Sequence, residues 1–421
     1  MPPDEAGQAA CERRLRDVPW AALAGLGDAL REPLARVLEG DAAERVLDRL
    51  LRAHRGLLAE QRRAVAEAMF GVGLWRRRLR AQCGRDATPL QLLACLARDL
   101  GGLGDAARML AVELPPPRPP PADWRDRFSV PDWLAQELVS AVGDEAPALA
   151  AALNLPGPVC LRANRLRTTR EALADRLRAE GVETRPGRFS PDCLVVKSPR
   201  PNVLGLPAAR EGLFEVQDEG SQLLGELVSA RPGDVVLDAC AGAGGKALQL
   251  AAAVGAQGAV WAVDVDAARL ERLRVRAQRA GVAVHLAGAA APDGMRFDRV
   301  LVDAPCSELG ALRRGPDVRW RLEPARFVAL EQVQREILRA AARAVKPGGW
   351  LVYATCTWRC RENDDVVDEF LEAQPEWRQL PAAAPRGEGP VPIDVVRGGR
   401  LETFPHRHGL DGFFGAVLGR T

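Results

Sequence analysis

The chain has 421 residues, more than one hydrophobic core normally holds, so two or three domains are expected. A formal charge of +2 does not mark a nucleic-acid binder, and nine cysteines without metal-ligand spacing beside only four histidines argue against a disulfide framework or a zinc site. The sequence contains no run of roughly eighteen uninterrupted apolar residues, and its N-terminus lacks a signal peptide's apolar region, so a soluble, cytoplasmic monomer without a membrane partner is expected.

Only Lys197, Lys246 and Lys346 are lysines, and every other positive residue is arginine. Coding bias explains such a preference, so arginine count alone says nothing about RNA. The local clusters Arg76, Arg77, Arg78 and Arg80, and Arg162, Arg165, Arg167 and Arg170, are better candidates for phosphate contacts, although a solvated face accounts for each.

From about residue 20 to 112, apolar residues recur at spacings of three and four in an Ala-, Leu- and Arg-rich background, which predicts an all-α domain over 1–113. The run Leu114 to Pro121 (LPPPRPPP) can form neither helix nor central strand, because proline lacks a backbone donor and fixes φ; it is taken as a linker, 114–125. Strand, helix and strand follow in VCLRANRL, TTREALADRLRAEG and DCLVVKS, with Thr168 or Thr169 as the helix cap and Gly181 as its end. A ferredoxin-like α+β subdomain over 126–225 fits, offering a sheet face to single-stranded RNA, and so does an ordinary α+β cap.

From Arg231 onward, apolar strands alternate with helices: VVLDA, AVWAVDV, VAVHLAG, FDRVLVDAP, WLVYATC and finally GFFGAVLGR. This pattern predicts a doubly wound, Rossmann-like α/β sheet over 226–421, covered on both faces. The first strand runs into Asp238, Ala239, Cys240, Ala241, Gly242, Ala243, Gly244, Gly245 and Lys246. Glycines there let the backbone turn sharply and approach a ligand, and Asp264, ending the next strand, is suited to ribose hydroxyls. A nucleoside cofactor is the consequence.

A Walker-type phosphate loop fails, since it needs glycine at 240 and Ser or Thr at 247, where Cys240 and Ala247 stand. Dinucleotide binding fits Gly242, Gly244, Ala247 and Asp264. S-adenosyl-L-methionine is favoured by Asp238, which would repel a pyrophosphate, and by two thiols downstream that hydride transfer does not need. Those thiols, Cys306 and Cys356, each follow an apolar strand. If the strands are parallel neighbours, both thiols and Asp303 face one pocket, which suggests covalent catalysis.

The segments DACAGAGGK, VDAPCS and YATCT, with QDEGSQLL before them and DGFFGAVL after, resemble the Sun family of S-adenosylmethionine-dependent RNA cytosine-5 methyltransferases over roughly residues 126 to 420. The resemblance implies that Cys356 is the nucleophile, that Cys306 assists breakdown of the covalent adduct, that Asp303 contacts base and cofactor, and that Lys246 belongs to the active site. The turn from Cys240 to Lys246 would hold the methionine portion and Asp264 the ribose. LRRGPDVRW is similar to the family's substrate-side stretch, CLRANRL to the opening of its RNA-binding subdomain, and the N-terminal region in size and position to an antitermination-factor-like helical domain. Ribosomal RNA is then the expected partner, with transfer RNA an alternative; a non-catalytic RNA-binding or assembly factor and an NAD-dependent oxidoreductase are the competing readings. Ala243 and Ala247 stand where the family commonly has proline and threonine. Gly288 and Ala289 stand where it has Gly-Asp against the adenine, so weaker cofactor affinity is expected, with Asp293 as the candidate substitute.

Overall fold

The computed structural model describes residues 3–197, 201–382 and 391–421, with side chains from residue 7 onward. The chain forms two compact units: Met1–Pro156 together with Leu312–Pro324, and Gly157–Ala311 together with Ala325–Thr421.

The first unit is helical: α1 Pro3–Arg16, α2 Gly27–Glu39, α3 Ala43–Ala53, α4 Ala59–Cys83, α5 Pro89–Cys95, α6 Ala106–Met109, α7 Trp124–Arg127, α8 Asp132–Val142 and α9 Ala146–Leu153. Leu15, Trp20, Leu34, Val65, Met69, Trp75 and Leu93 lie in its core, as the spacing of three and four requires. Thr88 caps α5 in a reciprocal capping box with Gln91.

The proline run has no regular structure, and it is pinned through its carbonyls: Arg98 Nη1 donates to Pro115 O (2.7 Å) and Gln82 Nε2 to Arg118 O (3.1 Å). Prolines lose a donor but keep an acceptor, so the segment lies along the helices and α7, α8 and α9 beyond it fall in the helical unit. Arg77 fastens this return, donating to Asp126 Oδ1 (2.6 Å) and Val130 O (2.7 Å). The stretch Leu312–Pro324 belongs to the same unit. Asp317 Oδ2 accepts from the Ala43 amide (3.1 Å), Arg319 is fully buried and donates to Asn154 Oδ1 (2.8 Å), and the Arg76 guanidinium lies 4.1 Å from the Trp320 ring centroid.

The second unit begins with β1 Cys160–Ala163, α10 Arg170–Ala179, β2 Thr184–Pro186, β3 Cys193–Val196, α11 Pro207–Arg210 and β4 Phe214–Val216. The sheet order β2-β3-β1-β4, all antiparallel, with βαββαβ connectivity is ferredoxin-like. Thr169 caps α10 and Gly181 follows it at φ +81°, as the sequence predicts.

All four residues of β1 are buried. Leu161 and Ala163 pack with Leu173 and Leu177 of α10, while on the opposite face Cys160 packs with Cys193 and Val195, and Arg162 reaches the Gly-rich turn.

After α12 Glu219–Leu227 come β5 Val235–Asp238, α13 Gly245–Val254, β6 Ala259–Ala262, α14 Ala267–Ala280, β7 His285–Leu286, β8 Phe297–Asp303, α15 Phe327–Ala342, β9 Val345–Thr355, α16 Asp364–Ala373, β10 Trp377–Leu380, β11 Val396–Arg397, β12 Arg400–Thr403, α17 Pro405–His408 and β13 Phe413–Arg420. The sheet runs β11-β12-β13-β9-β8-β5-β6-β7, with β10 also on β13. Strands β5 to β9 are mutually parallel, as expected of a doubly wound sheet, whereas β13 is antiparallel to β9, β10 and β12. A parallel pair needs a long crossover, and the nine residues between Thr403 and Phe413 hold only one helical turn, so β13 returns antiparallel to β12. One face of this sheet buries Leu248, Val260 and Val352, and the other buries Val300, Tyr353 and Phe414.

Candidate active site

The site grows from strand pairing. β8 and β9 are adjacent and parallel, with Asp303 opposite Ala354, so the segments leaving both strands start side by side. The Ala304 amide continues the ladder to Ala354 O (2.8 Å), and two residues later on each chain segment the sulfurs of Cys306 and Cys356 meet at 3.4 Å. Ser307 Oγ and Thr357 Oγ1, each one residue beyond a thiol, are 2.9 Å apart. Gly310 N donates to Cys356 O (2.9 Å), closing the first thiol's loop over the second. Glu308 in that loop has φ +57°, an uncommon conformation for a residue with a side chain and one that clusters at functional sites.

Burial and the bond to Cys356 define the state of Cys306. Its thiol is pushed well above the ordinary value, first by the hydrogen bond with Cys356 and then by desolvation, so it carries its proton at neutral pH.

β5 contributes Asp238 and the turn after it. A Cβ built on Gly242 or Gly245 meets no atom within 4 Å, so their missing side chains leave open space. Gly244 instead caps α13 at φ +90°, with Leu273 pressed against it. Asp238 is fully buried; desolvation, with Asp303 adding to it, raises its carboxyl to about 7. Its Oδ1 has no hydrogen-bond partner among the described residues.

β6 ends in the segment carrying Asp264, whose Oδ2 accepts from Gly242 N (2.8 Å) and whose Oδ1 accepts from Asp266 N (2.8 Å). This carboxylate therefore fixes the turn. Lys246, at the start of α13, donates to Asp303 Oδ2 (2.7 Å). Burial opposes its charge, but the Asp303 carboxylate outweighs that and holds the ammonium above its usual value, so Lys246 stays cationic.

These groups line one cavity of about 500 Å³, large enough for a nucleoside cofactor beside a base. Its walls include Asp238, Cys240 to Lys246, Asp264, Asp303, Cys306 and Cys356. Ala289 also lines it and Asp293 does not, so the suggested substitute acid is not brought to the cavity. Val265, Val333 and Ile337 add apolar wall.

The open glycine turn, a buried carboxylate oxygen lacking a donor, and Asp264 at the rim fit S-adenosyl-L-methionine: a backbone cradle and an anion for its ammonium, and a carboxylate for its ribose hydroxyls. Among the described residues no cluster of His, Cys, Asp or Glu could hold a metal ion.

Further residues support the site from outside its walls, and of these the sequence singled out only Arg162, as a candidate for phosphate contact. Buried Arg162 on β1 donates to Gly245 O (2.8 Å) and Gln249 Oε1 (3.1 Å), and Arg276 donates to Ala243 O (2.6 Å), so the carbonyls of the turn are held from outside. Glu362 and Asn363 hold the thiol loops. They stand in the polar run RENDD, which begins five residues after Cys356.

Sheet, glycine turn and cavity define a doubly wound methyltransferase-type domain joined to a ferredoxin-like subdomain. The family model for 16S rRNA methyltransferase RsmB/F matches residues 226–419, and that for the RsmF/B-like ferredoxin-like domain matches 130–202. The chain belongs to the RsmB/F methyltransferase family. It is 37% identical to ribosomal RNA small subunit methyltransferase B of Pseudomonas syringae pv. tomato (69% of this chain, 66% of the relative). It is 34% identical to the probable enzyme of that name from Bacillus subtilis (68% and 65%) and 35% to that of Synechocystis (70% and 67%). The matches thus span about two thirds of each relative's length. Among solved structures, PH0851 shares the fold at TM-score 0.73 with 24% identity, over 96% of this chain and 99% of that one. NSun6 from Pyrococcus horikoshii with SFG does so at TM-score 0.62 with 21% identity, over 70% and 99%.

Proposed function

We propose that this chain transfers a methyl group from S-adenosyl-L-methionine to C5 of a cytosine in RNA, with small-subunit ribosomal RNA as substrate, through a covalent bond between Cys356 Sγ and C6. The observation that carries this reading is the pair of sulfurs 3.4 Å apart in the cavity formed by the glycine turn, Lys246 and Asp303. The names of the relatives support ribosomal RNA as the substrate class.

C5 of cytosine is too weak a nucleophile to take a methyl group unaided. Attack of the Cys356 thiolate on C6 forms an S–C6 bond and moves the ring's electron pair to C5. The bound cofactor supplies an electrophilic sulfonium methyl at that carbon. Asp303 contacts the base, and the Lys246 ammonium that it holds balances the negative charge that develops on the ring. Water acting as base takes the C5 proton, whose electron pair returns to the C5–C6 bond as the S–C6 bond breaks. Cys306, protonated at neutral pH, donates to the departing Cys356 sulfur and so favours its release as thiolate.

The test is incubation of the chain with unmodified small-subunit ribosomal RNA and cofactor carrying a labelled methyl group. The reading requires 5-methylcytosine in the digested RNA; no label at cytosine in ribosomal or transfer RNA would refute it.

A further inference from the structure

We propose that the dipeptide Glu362–Asn363 is the positioning element that sets the separation of the two thiols. Glu362 is fully buried, and its Oε2 accepts from the Ser307 amide (2.8 Å), next to Cys306, and from Gln334 Nε2 (2.9 Å). Its backbone carbonyl accepts from Tyr353 Oη (2.7 Å), which ties it to β9. Asn363, also buried, grips the other thiol from both sides: Oδ1 accepts from Thr355 Oγ1 (2.6 Å) and Nδ2 donates to Thr357 O (3.0 Å). Adjacent residues thus hold the Ser307 amide beside Cys306 and, on the two sides of Cys356, the Thr355 hydroxyl and the Thr357 carbonyl.

Charge makes this grip specific. A buried carboxylate is costly unless paired, and Arg359 Nη1 donates to both Glu362 Oε1 and Glu331 Oε1 at 3.1 Å. Gln334 Nε2 also donates to Pro305 O (2.8 Å), immediately before Cys306. Oε2 of Glu362 therefore has two donors on the Cys306 side, and either thiol loop can move only by leaving a buried polar group unpaired. Neither residue touches the cavity. Both act through Ser307, Thr355 and Thr357, so they are positioning residues. The consequence for catalysis rests on the methyltransfer proposed above; the geometry and its test do not.

Phenylarsine oxide reports thiol separation directly. Two thiols displace its oxygen, forming two As–S bonds and releasing one water that carries both thiol protons, with no change in oxidation state. Both sulfurs must reach one arsenic atom. The full chain is titrated with this reagent, and the bridged cysteine pair is identified by peptide mapping under non-reducing conditions, which separates Cys306–Cys356 from other pairs.

The wild type should bridge Cys306 and Cys356. In Asn363→Ala and Glu362→Gln the half-saturating concentration for that bridge should rise about tenfold, the equivalent of one buried hydrogen bond. S-adenosylhomocysteine affinity, read by calorimetry, should remain within about twofold, because neither residue lines the cavity. If Glu362→Gln fails to fold, Asn363→Ala decides. Bridging of a folded variant at the wild-type concentration overturns the proposal, as does a wild type that does not bridge this pair. Failure of label transfer by the wild type would instead refute the methyltransferase reading.

Discussion

Lys246 and Asp303 join the cofactor side of the cavity to the thiol side: the ammonium at the start of α13 meets the carboxylate at the end of β8 at 2.7 Å. The lysine is nearly enclosed and the aspartate about one third exposed, so the pair is neither a surface bridge nor a dry one. Asp303→Asn keeps the shape and leaves a buried ammonium without its anion. A stability loss of about 1–3 kcal/mol is expected in urea denaturation. Methyl transfer should fall on the order of 10²-fold, because the variant also removes charge facing the base. Unchanged turnover would show that Asp303 only anchors the lysine.

Asp238 gives a pH dependence of defined sign. Its carboxyl is raised from 3.8 to about 7 in the fold, by burial first and by Asp303 second. Between those values the unfolded chain gives up this proton while the native chain keeps it. The contribution to stability is therefore complete below about pH 4 and lost as pH rises through about 7. Denaturation without cofactor at pH 5 and pH 8 should show the wild type losing stability relative to Asp238→Asn at the higher pH. Parallel behaviour would contradict the assigned cause. A ligand cation against Asp238 should offset the loss.

Gly244 is held by two constraints. It caps α13 at φ +90°, and a built Cβ would stand 2.1 Å from Leu273 Cδ1. Gly244→Ala must shift the turn or the helix α14 behind it, and a cost of about 1–3 kcal/mol is expected. S-adenosylhomocysteine affinity should fall with it, measured by calorimetry. An alanine variant with wild-type affinity would show that the turn does not need this conformation.

What the sequence made legible follows from strand ends. Apolar runs ending in acids located β5, β6 and β8, the run WLVYATC located β9, and the thiols lie just after β8 and β9, so their meeting needed only the pairing of those two strands. The antiparallel additions β10, β11 and β12 were not read, because two to four residues in a polar stretch carry too little periodicity. The place of Leu312–Pro324 in the helical unit was equally hidden. Arg319 looks like a surface arginine in RRGPDVRW, and only the fold provides Asn154 as its buried partner. The supporting residues Arg162 and Glu362 act on backbone atoms of loops far away in sequence, a kind of contact that no local pattern encodes.

Arg162 offers a further test of that hidden layer. Its side chain lies outside the ligand cavity yet donates to Gly245 O and Gln249 Oε1, and burial lowers its guanidinium to about 10. Arg162→Met keeps much of the volume and removes the donors. Cofactor affinity should weaken about tenfold with the thiols still bridged by arsenical. Equal affinity would mean that the turn holds itself.

The central claim, that Cys356 attacks the base while Cys306 releases it, is tested most directly by trapping the adduct. Cys306→Ala, incubated with small-subunit ribosomal RNA and S-adenosyl-L-methionine, denatured and digested, should give a peptide carrying a methylated cytidine on Cys356, identified by mass spectrometry. Attachment at another residue, or a persistent adduct formed by Cys356→Ala instead, would contradict the account.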